Sequence, residues 1–177
     1  MGRVIIPGKA LLFIGLIYNS AQNPDHVYKV LEEEFGTVCL SSARFPFAET
    51  NYYNREMGEG LLREFIAFEA LVSMERISDI KLRTNWMEHT YFSSDGRRTV
   101  NIDPGYITSA KVVLATTKDF QHRLYLGNGI YAEVTLRYRK SSFYPWEWTY
   151  RDYRRRETID FFNRLREVYR AKLKGIS

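Results

Sequence analysis

The sequence has very few of the residues that build covalent or metal-linked frameworks. It contains one cysteine, Cys39, which excludes an internal disulfide. Its three histidines, His26, His89 and His122, stand far apart, and no Cys-x-x-Cys pair occurs. We therefore expect no structural zinc, no other metal and no cofactor. Sparse cysteine also suits a reducing compartment, and we predict a cytoplasmic location.

Glycine and proline are also sparse, at 11 and 5 of 177 residues, and they do not group into a linker. With 45% hydrophobic residues, a chain of this length can bury one core, so we predict a single domain over residues 1–177. The longest apolar run, Ala10–Tyr18, follows Arg3 and Lys9 and imitates a signal peptide. Because this run is too short to span a bilayer, we predict a buried strand and no membrane contact.

Acidic residues are scarce in the C-terminal part of the chain. Residues 1–136 hold 14 Lys or Arg against 16 Asp or Glu, whereas residues 137–177 hold 12 against 5. Arginine supplies 18 of the 26 cations, and its planar guanidinium suits bidentate contacts with carboxylate or phosphate. An anionic partner would explain this distribution, and so would a solvated helix paired with the more acidic first part, which is the default interpretation.

The strongest local signal is a β-hairpin around Gly127-Asn128-Gly129. Residues 122–126 and 130–138 alternate apolar and polar side chains with period two on either side of it. A two-residue Asn128-Gly129 turn would mix the two faces, whereas a three-residue loop keeps them separate. The pattern therefore predicts the three-residue loop.

The three-residue loop assigns the hairpin side chains to two faces. The core-facing pairs are Leu126 with Ile130 and Leu124 with Ala132, and the pairs on the other face are Tyr125 with Tyr131 and Arg123 with Glu133. The second face is a candidate functional surface, and the alternative is an ordinary solvated sheet face.

Strand and helix patterns alternate through the first hundred residues. In order, the predicted elements are strand Ala10–Tyr18, a helix from the Asn23-Pro24-Asp25 cap to Phe35, strand Thr37–Arg44, strand Leu62–Val72, a helix capped by Ser78 and reaching Tyr91, and strand Arg98–Asp103. This order predicts an α+β fold with a ferredoxin-like split βαβ core (β-α-β-β-α-β), extended by the β-hairpin and a C-terminal helix.

The remaining segments are less regular. Asp103–Tyr106 is predicted as a turn, and Ile107–Thr117 as a short helix, although its β-branched residues favour a strand. Phe143–Tyr153 holds six aromatic residues and is either core or an interface. A final helix is predicted at about Glu157–Lys174. Its apolar stripe contains Phe161, Phe162, Leu165, Val168 and Tyr169, and its basic stripe contains Arg156, Arg166, Arg170 and Lys174.

Several ordered motifs together resemble a known family. They are Tyr52-Tyr53 before Glu56-Met57-Gly58, Asn101–Tyr106, Lys111 with Leu114–Asp119, His122-Arg123, Gly129–Leu136 and Trp148-Thr149-Tyr150. Over essentially its whole length the chain resembles a family of short prokaryotic proteins catalogued as domain-of-unknown-function family 4416. The resemblance implies no established activity and transfers no residue role. Some members carry a GTP-binding description, but this sequence has no G-x-x-x-x-G-K-[ST] loop, and Thr117-Lys118-Asp119 lacks the spacer of an N/T-K-x-D motif.

Three hypotheses for function remain open. The first is a binding module for an anionic ligand, either a nucleotide or single-stranded RNA, because bases stack on rings and phosphates pair with cations. The candidate ligand-binding residues are Tyr53, Glu56, Lys111, Arg123, Tyr125, Tyr131, Arg137 and Trp148. They extend into the irregular loop Glu49–Gly60, where Tyr52 and Met57 are also candidates.

The second hypothesis is a small enzyme acting on a phosphorylated or carboxylated substrate. Its candidate catalytic residues are Asp103, Lys118, His122 and Glu133, which offer a general base and a cation for a developing anion. The third is an interaction scaffold that presents Phe143–Tyr153, since Tyr, Trp and Arg dominate interface hot spots. The oligomeric state does not follow from the sequence.

Overall fold

The fold is built on a nine-stranded antiparallel sheet, seen in a computed structural model that describes residues 2–49 and 53–175. The strands of this sheet are β1 (Ala10–Asn19), β2 (Val38–Ser41), β3 (Phe45–Pro46), β4 (Leu61–Val72), β7 (Val100–Ile107), β8 (Lys111–Thr116), β9 (Leu124–Gly127), β10 (Ile130–Arg139) and β11 (Ser142–Pro145). A separate small ribbon pairs β5 (Ser93–Ser94) with β6 (Arg97–Arg98). The helices are α1 (Pro24–Phe35), α2 (Asn54–Met57), α3 (Ile77–Tyr91), α4 (Arg151–Arg154) and α5 (Arg156–Lys174).

The main path of the sheet is β11-β10-β8-β7-β1-β4-β2, with β3 beside β4 and β9 beside β10. Strand β1 lies near the centre and is buried on both faces, as its uninterrupted apolar sequence predicts. The predicted α+β class is confirmed. The sheet is wider than the four strands of a ferredoxin-like core, so that specific arrangement is not established.

Helices cover both faces of the sheet. The even-numbered side chains of β1 pack with α1 and α3, whereas Leu11 and Phe13 pack with α5, because successive side chains of a strand point to opposite faces. The first core includes Leu12, Ile14, Leu16, Val27, Leu31, Ile80 and Met87; the second includes Leu11, Phe13, Phe65, Phe161, Phe162 and Leu165. No helix within the described ranges is long and apolar enough to cross a membrane.

Three elements match their sequence predictions closely. The first strand and the helix Pro24–Phe35 form as expected, and the Asn23 side chain caps that helix by accepting a hydrogen bond from the Asp25 N–H. The last helix runs from Arg156 to Lys174 and buries most of its apolar stripe. Its basic stripe is less open than predicted, because Arg166 packs over the Tyr138 ring and donates to the carbonyl of Ser109.

The region after the fourth predicted strand was assigned wrongly. Asp103–Tyr106 is not a turn but continues β7, which extends to Ile107. Proline is tolerated at position 104 because no residue of β8 pairs with it. No hydrogen bond to β8 therefore needs a backbone N–H at this position. Residues 107–117 are not a helix either, since Lys111–Thr116 form β8 between β7 and β10, where β-branched side chains pack well.

Two boundaries in the first half also differ from prediction. Ser78 is not the cap of the second long helix, because α3 begins at Ile77 directly after a 3-10 turn at Met74–Arg76. The strand predicted over Thr37–Arg44 covers only Val38–Ser41, and the chain pairs again with β4 at Phe45–Pro46.

The hairpin forms, but its loop differs from the predicted one. Asn128 and Gly129, both with positive φ, make a two-residue turn, and Gly127 pairs with Ile130 in place of Leu126. A bulge after Ile130 then restores the predicted Tyr125–Tyr131 and Leu124–Ala132 pairs.

The burial of β9 also departs from the prediction. Leu124 was expected to face the core, but it is 75% exposed, and Leu126 is exposed as well. Strand β9 lies at the edge of the sheet beside β10, beyond the reach of the helices that cover the central strands.

Candidate functional site

The central strands β7 and β8 separate part-way along their length. Gly105–Ile107 pair with Val112–Leu114, and past Gly105 no pair joins the two strands in the part of the chain that the structure describes. The junction is tight, because a Cβ on Gly105 would lie 2.4 Å from the Phe13 ring. Beyond it the strands diverge and open a fork in the sheet.

A cleft of about 890 Å³ lies over this fork, which is within the usual size of small-molecule sites. Its wall is completed by the loop after β8 and by Trp148–Arg154. The charged lining residues are the cations Arg63, Lys81, Arg98, Lys118, Arg151 and Arg154 and the acids Glu49, Asp103 and Asp152. The excess of cations favours an anionic ligand.

Arg63 places a buried positive charge on the floor of the cleft. Its side chain is 2% exposed and lies against the rings of Phe65, at 4.5 Å, and Tyr153, at 5.2 Å. Its Nε is 2.9 Å from Asp152 Oδ2, whereas its Nη1 is buried and makes no hydrogen bond. Burial is the largest single influence and opposes the charge, but Asp152, Tyr153, Asp103 and Tyr53 together outweigh it and raise the pKa of Arg63. The floor therefore holds a charged donor with unused capacity.

Gly15 on β1 makes room for that guanidinium. A Cβ at Gly15 would lie 2.9 Å from Arg63 Nη2 and 3.0 Å from Nη1. In the sheet register Gly15 pairs with Asp103 of β7. Arg63 therefore extends from β4 across β1 towards Asp103.

Asp103 is the acid nearest the fork. Its Oδ1 accepts a hydrogen bond from Lys81 Nζ at 3.1 Å, and its Oδ2 accepts one from Asn101 Nδ2 at 2.7 Å. Lys81 reaches it from α3, on the other side of the sheet, and also donates to the carbonyl of Ile102. Burial alone would raise the pKa of Asp103, but the cations Lys81 and Arg63 outweigh burial and lower it. Asp103 therefore stays ionised beside the cleft.

Arg98 closes one side of the cleft and is fully engaged. Its Nε and Nη2 donate to the two carboxylate oxygens of Glu56, at 2.7 and 2.8 Å. Its Nη1 donates to Glu88 at 2.6 Å and to Asn101 at 3.2 Å. The hydrogen bonds from Arg98 lower the pKa of Glu56 despite its partial burial. This network fixes Asn101, and through it Asp103.

The short helix α4 supplies the opposite side of the floor. Burial raises the pKa of Asp152, although the neighbouring Arg63 acts against this shift. The Tyr153 hydroxyl is buried and has no hydrogen-bond partner. A second unused donor therefore lies beside Arg63.

Stacked side chains hold Trp148, which lines the cleft on the side nearest the hairpin. The guanidinium of Arg137 lies 3.9 Å from the ring of Trp146, and Trp146 stacks on Trp148 with ring centroids 5.1 Å apart. The other face of Trp148 stacks on His122, also at 5.1 Å, and its Nε1 donates to the carbonyl of Val134. Because both faces of Trp148 are covered, its contribution to the cleft lining comes from its edge.

Glu133 anchors a second polar cluster behind Trp148. It is buried, and its Oε2 lies 3.1 Å from His122 Nε2 and 2.8 Å from Arg123 Nε. Arg123 also donates to the Lys118 carbonyl at 2.9 Å and to the Tyr150 hydroxyl at 2.7 Å. This cluster ties the hairpin to two residues of the cleft rim.

The predicted site residues are distributed over three places. Those that line the cleft are Tyr53, Asp103, Lys118 and Trp148; those joined to it through one or two neighbours are Glu56, His122, Arg123, Glu133 and Arg137; those away from it are Lys111, Tyr125 and Tyr131. Tyr52 lies outside the described residues. The predicted Arg123–Glu133 pair is formed, but Glu133 is buried and not on an open face. Of the candidate catalytic residues, Asp103 and Lys118 lie in the cleft, while His122 and Glu133 contact each other beside it.

The most deeply buried cations of the cleft were not predicted. Arg63 and Glu64 interrupt an otherwise apolar stretch at the start of β4, and charges inside such a strand were the signal that could have identified Arg63. Lys81, Thr84 and Glu88 recur at helical spacing on the buried side of α3, which is a polar stripe where apolar residues are expected.

Together, the fold and the cleft define an α+β protein with a cation-rich pocket at a fork in its sheet. A family model described as Domain of unknown function (DUF4416) matches residues 8–169, so the chain belongs to this family, as the motifs predicted. Neither the curated proteins nor the solved structures gave a match.

Proposed function

We propose that this protein binds a small anionic ligand whose phosphate or carboxylate group contacts Arg63. The observation that carries the proposal is that Arg63 lines the cleft and that its buried guanidinium has an Nη1 without a hydrogen bond. A buried polar group normally has a partner, because leaving it unpaired costs about 1–3 kcal/mol. An anion in the cleft would supply that partner.

A ligand of nucleotide size is favoured over single-stranded RNA. The cleft volume suits a small molecule, and the rings of Phe47, Tyr53 and Tyr150 line its walls. RNA binding would need a run of available cations along an open groove. Arg154 instead donates to the carbonyls of Thr149, Trp146 and Glu147, so part of the C-terminal charge is used within the protein.

The scaffold of the site is a part of the same proposal. We propose that β1, β2, β4 and β7, with α1 and α3, form a ferredoxin-like core within the wider sheet. The support is their antiparallel order β7-β1-β4-β2, in which each helix connects two strands separated by one other. Residues 1–177 would then form one domain around this core.

A small enzyme acting on a phosphorylated or carboxylated substrate is the second candidate. It is favoured by the position of Asp103, a partly exposed carboxylate that lines the cleft and could accept a proton from a molecule bound there. Lys118 lines the same cleft and could stabilise a developing anion. Its test is turnover of the bound ligand: a bound ligand recovered unchanged after long incubation would reject this candidate.

Calorimetric titration with AMP and with inorganic phosphate tests the binding proposal, using Arg63→Lys and the matched control Arg44→Lys. Arg44 also contacts a buried carboxylate, Glu64, but it lies away from the cleft. We expect Arg63→Lys to weaken AMP binding by about 10- to 100-fold, since a hydrogen bond to a charged group is worth about 1.5–3 kcal/mol. Arg44→Lys should leave the affinity unchanged. Absence of binding by the wild-type protein at low salt would reject the proposal.

A further inference from the structure

We infer that the cleft selects anionic ligands that also carry hydroxyl groups, with Asp103 as the residue that recognises those hydroxyls. The inference rests on the proposed function and names the ligand class for the same site: a phosphorylated sugar or a nucleotide. In this arrangement Asp103 accepts hydrogen bonds from the uncharged hydroxyls of the ligand, while Arg63 binds its anionic group.

The acceptor capacity of Asp103 carries this inference. Each of its carboxylate oxygens accepts one hydrogen bond from the protein, from Lys81 and from Asn101. An ionised carboxylate offers about four acceptor positions, so about two remain. The side chain is 23% exposed and lines the cleft, which makes these positions accessible to a ligand.

The spacing of the two charges indicates where such a ligand would lie. Arg63 and Asp103 are brought together over Gly15, yet no ion pair within 4.0 Å joins them in the described part of the chain. Arg63 can only donate hydrogen bonds, and ionised Asp103 can only accept them. A molecule that offers acceptors on one side and donors on the other would complete both.

Hydroxyl donors fit this position better than ammonium donors. The charged lining of the cleft comprises six cations and three acids, so it would repel a second positive charge. Each of the three acids already lies near a cation: Asp103 contacts Lys81, Asp152 contacts Arg63, and Glu49 contacts Arg155. A neutral hydroxyl gains a charge-assisted hydrogen bond from Asp103 without that repulsion.

The test titrates three ligands into the 177-residue protein, two of which differ only in their hydroxyls. AMP and 2′,3′-dideoxy-AMP share charge and base, and ribose 5-phosphate lacks the base. For the wild-type protein we expect dideoxy-AMP to bind about 10- to 100-fold more weakly than AMP. Ribose 5-phosphate binding as tightly as AMP would assign the ligand to the sugar phosphates, and weaker binding would assign it to the nucleotides.

The variant Asp103→Asn links this preference to one residue. We expect it to bind AMP and dideoxy-AMP with nearly equal affinity, and circular dichroism checks its fold. If Asp103→Asn does not fold, the wild-type comparison still decides: equal affinity for AMP and dideoxy-AMP overturns the inference. If the wild-type protein binds AMP and dideoxy-AMP equally well, and Arg63→Lys weakens both, only the inference about hydroxyl recognition is rejected. If the wild-type protein binds neither ligand, the proposed function is rejected as well. If folded Asp103→Asn still binds AMP more tightly than dideoxy-AMP by the wild-type ratio, the inference is also overturned.

Discussion

Arg63 and Glu64 are neighbours on β4, and both are almost completely buried, but their surroundings differ. Glu64 points to the face covered by α1, where it accepts hydrogen bonds from Tyr18 at 2.6 Å, Tyr28 at 2.7 Å and Arg44 at 3.1 Å. Arg63 points to the opposite face, where it contacts one carboxylate and leaves Nη1 without a partner.

The difference separates a buried charge that is satisfied within the protein from one that is not. The groove beside Glu64 has a volume of about 940 Å³, slightly more than that of the cleft, but it is a shallow depression of the surface. The buried Glu64 carboxylate already accepts hydrogen bonds from Tyr18 and Tyr28. The cleft beside Arg63 contains an unsatisfied buried charge, which a native fold retains at a cost. An incompletely paired charge, and not the larger volume, therefore marks the candidate site.

The largest effect should come from Arg63→Met. Removing the cation leaves Asp152 buried without its partner, so we expect the free energy of unfolding to fall by about 3–5 kcal/mol and AMP binding to disappear. The double variant Arg63→Met/Asp152→Leu should recover most of the stability but none of the binding. Urea denaturation and calorimetry measure the two quantities, and recovered binding in the double variant would contradict the role of Arg63.

Glu64→Gln should show the opposite combination. Loss of the charged acceptor weakens the hydrogen bonds from Tyr18, Tyr28 and Arg44, and we expect about 1–3 kcal/mol less stability. AMP affinity should not change, because Glu64 does not line the cleft. A loss of affinity at unchanged protein concentration would show that the two faces of β4 are coupled.

The acids of the cleft floor should respond to pH in opposite directions. The lowered pKa of Asp103 stabilises the fold above the ordinary carboxyl pKa of about 3.9, and this stabilisation is lost as the pH falls through the lowered pKa. The raised pKa of Asp152 carries a penalty above that raised pKa, which is relieved as the pH falls through it towards 3.9.

Urea denaturation between pH 2 and 7 checks these signs. Asp103→Asn should flatten the loss of stability below about pH 4, and Asp152→Asn should remove a gain that appears as the pH falls towards about 4. Equal slopes for both variants and the wild-type protein would show that these carboxyls titrate as they do in the unfolded chain.

The smallest effect should come from Gly15→Ala. Its φ is not positive, so alanine brings no backbone strain, but its Cβ would lie within 3.1 Å of the Arg63 guanidinium. A side chain displaced from its rotamer costs about 0.5–1.5 kcal/mol, which corresponds to a roughly 2- to 12-fold weaker affinity for AMP. Unchanged affinity would mean that the position of the guanidinium is not important for binding.

Local patterns predicted the parts of the fold that local physics controls. The apolar run of β1, the Asn23 cap of α1 and the apolar stripe of α5 all depend on residues close in sequence, and each was found where it was expected. The Ile107–Thr117 segment could not be assigned in this way, because its β-branched residues and its helical spacing conflicted. Pairing with β7 and β10 decided it as a strand.

The candidate site was predicted only in part, for the same reason. Asp103 and Lys118 were named as candidates from their chemistry, whereas Arg63 and Lys81 were not, because their partners Asp152 and Asp103 are far away in sequence. The sequence by itself determined that Arg63 and Glu64 face opposite sides of a strand, since side chains alternate along β-structure. Only the tertiary structure decided that Glu64 has three hydrogen-bond partners on its side of the sheet, whereas Arg63 lies beside the fork on the other side. Both arrangements depend on contacts between residues far apart in the chain.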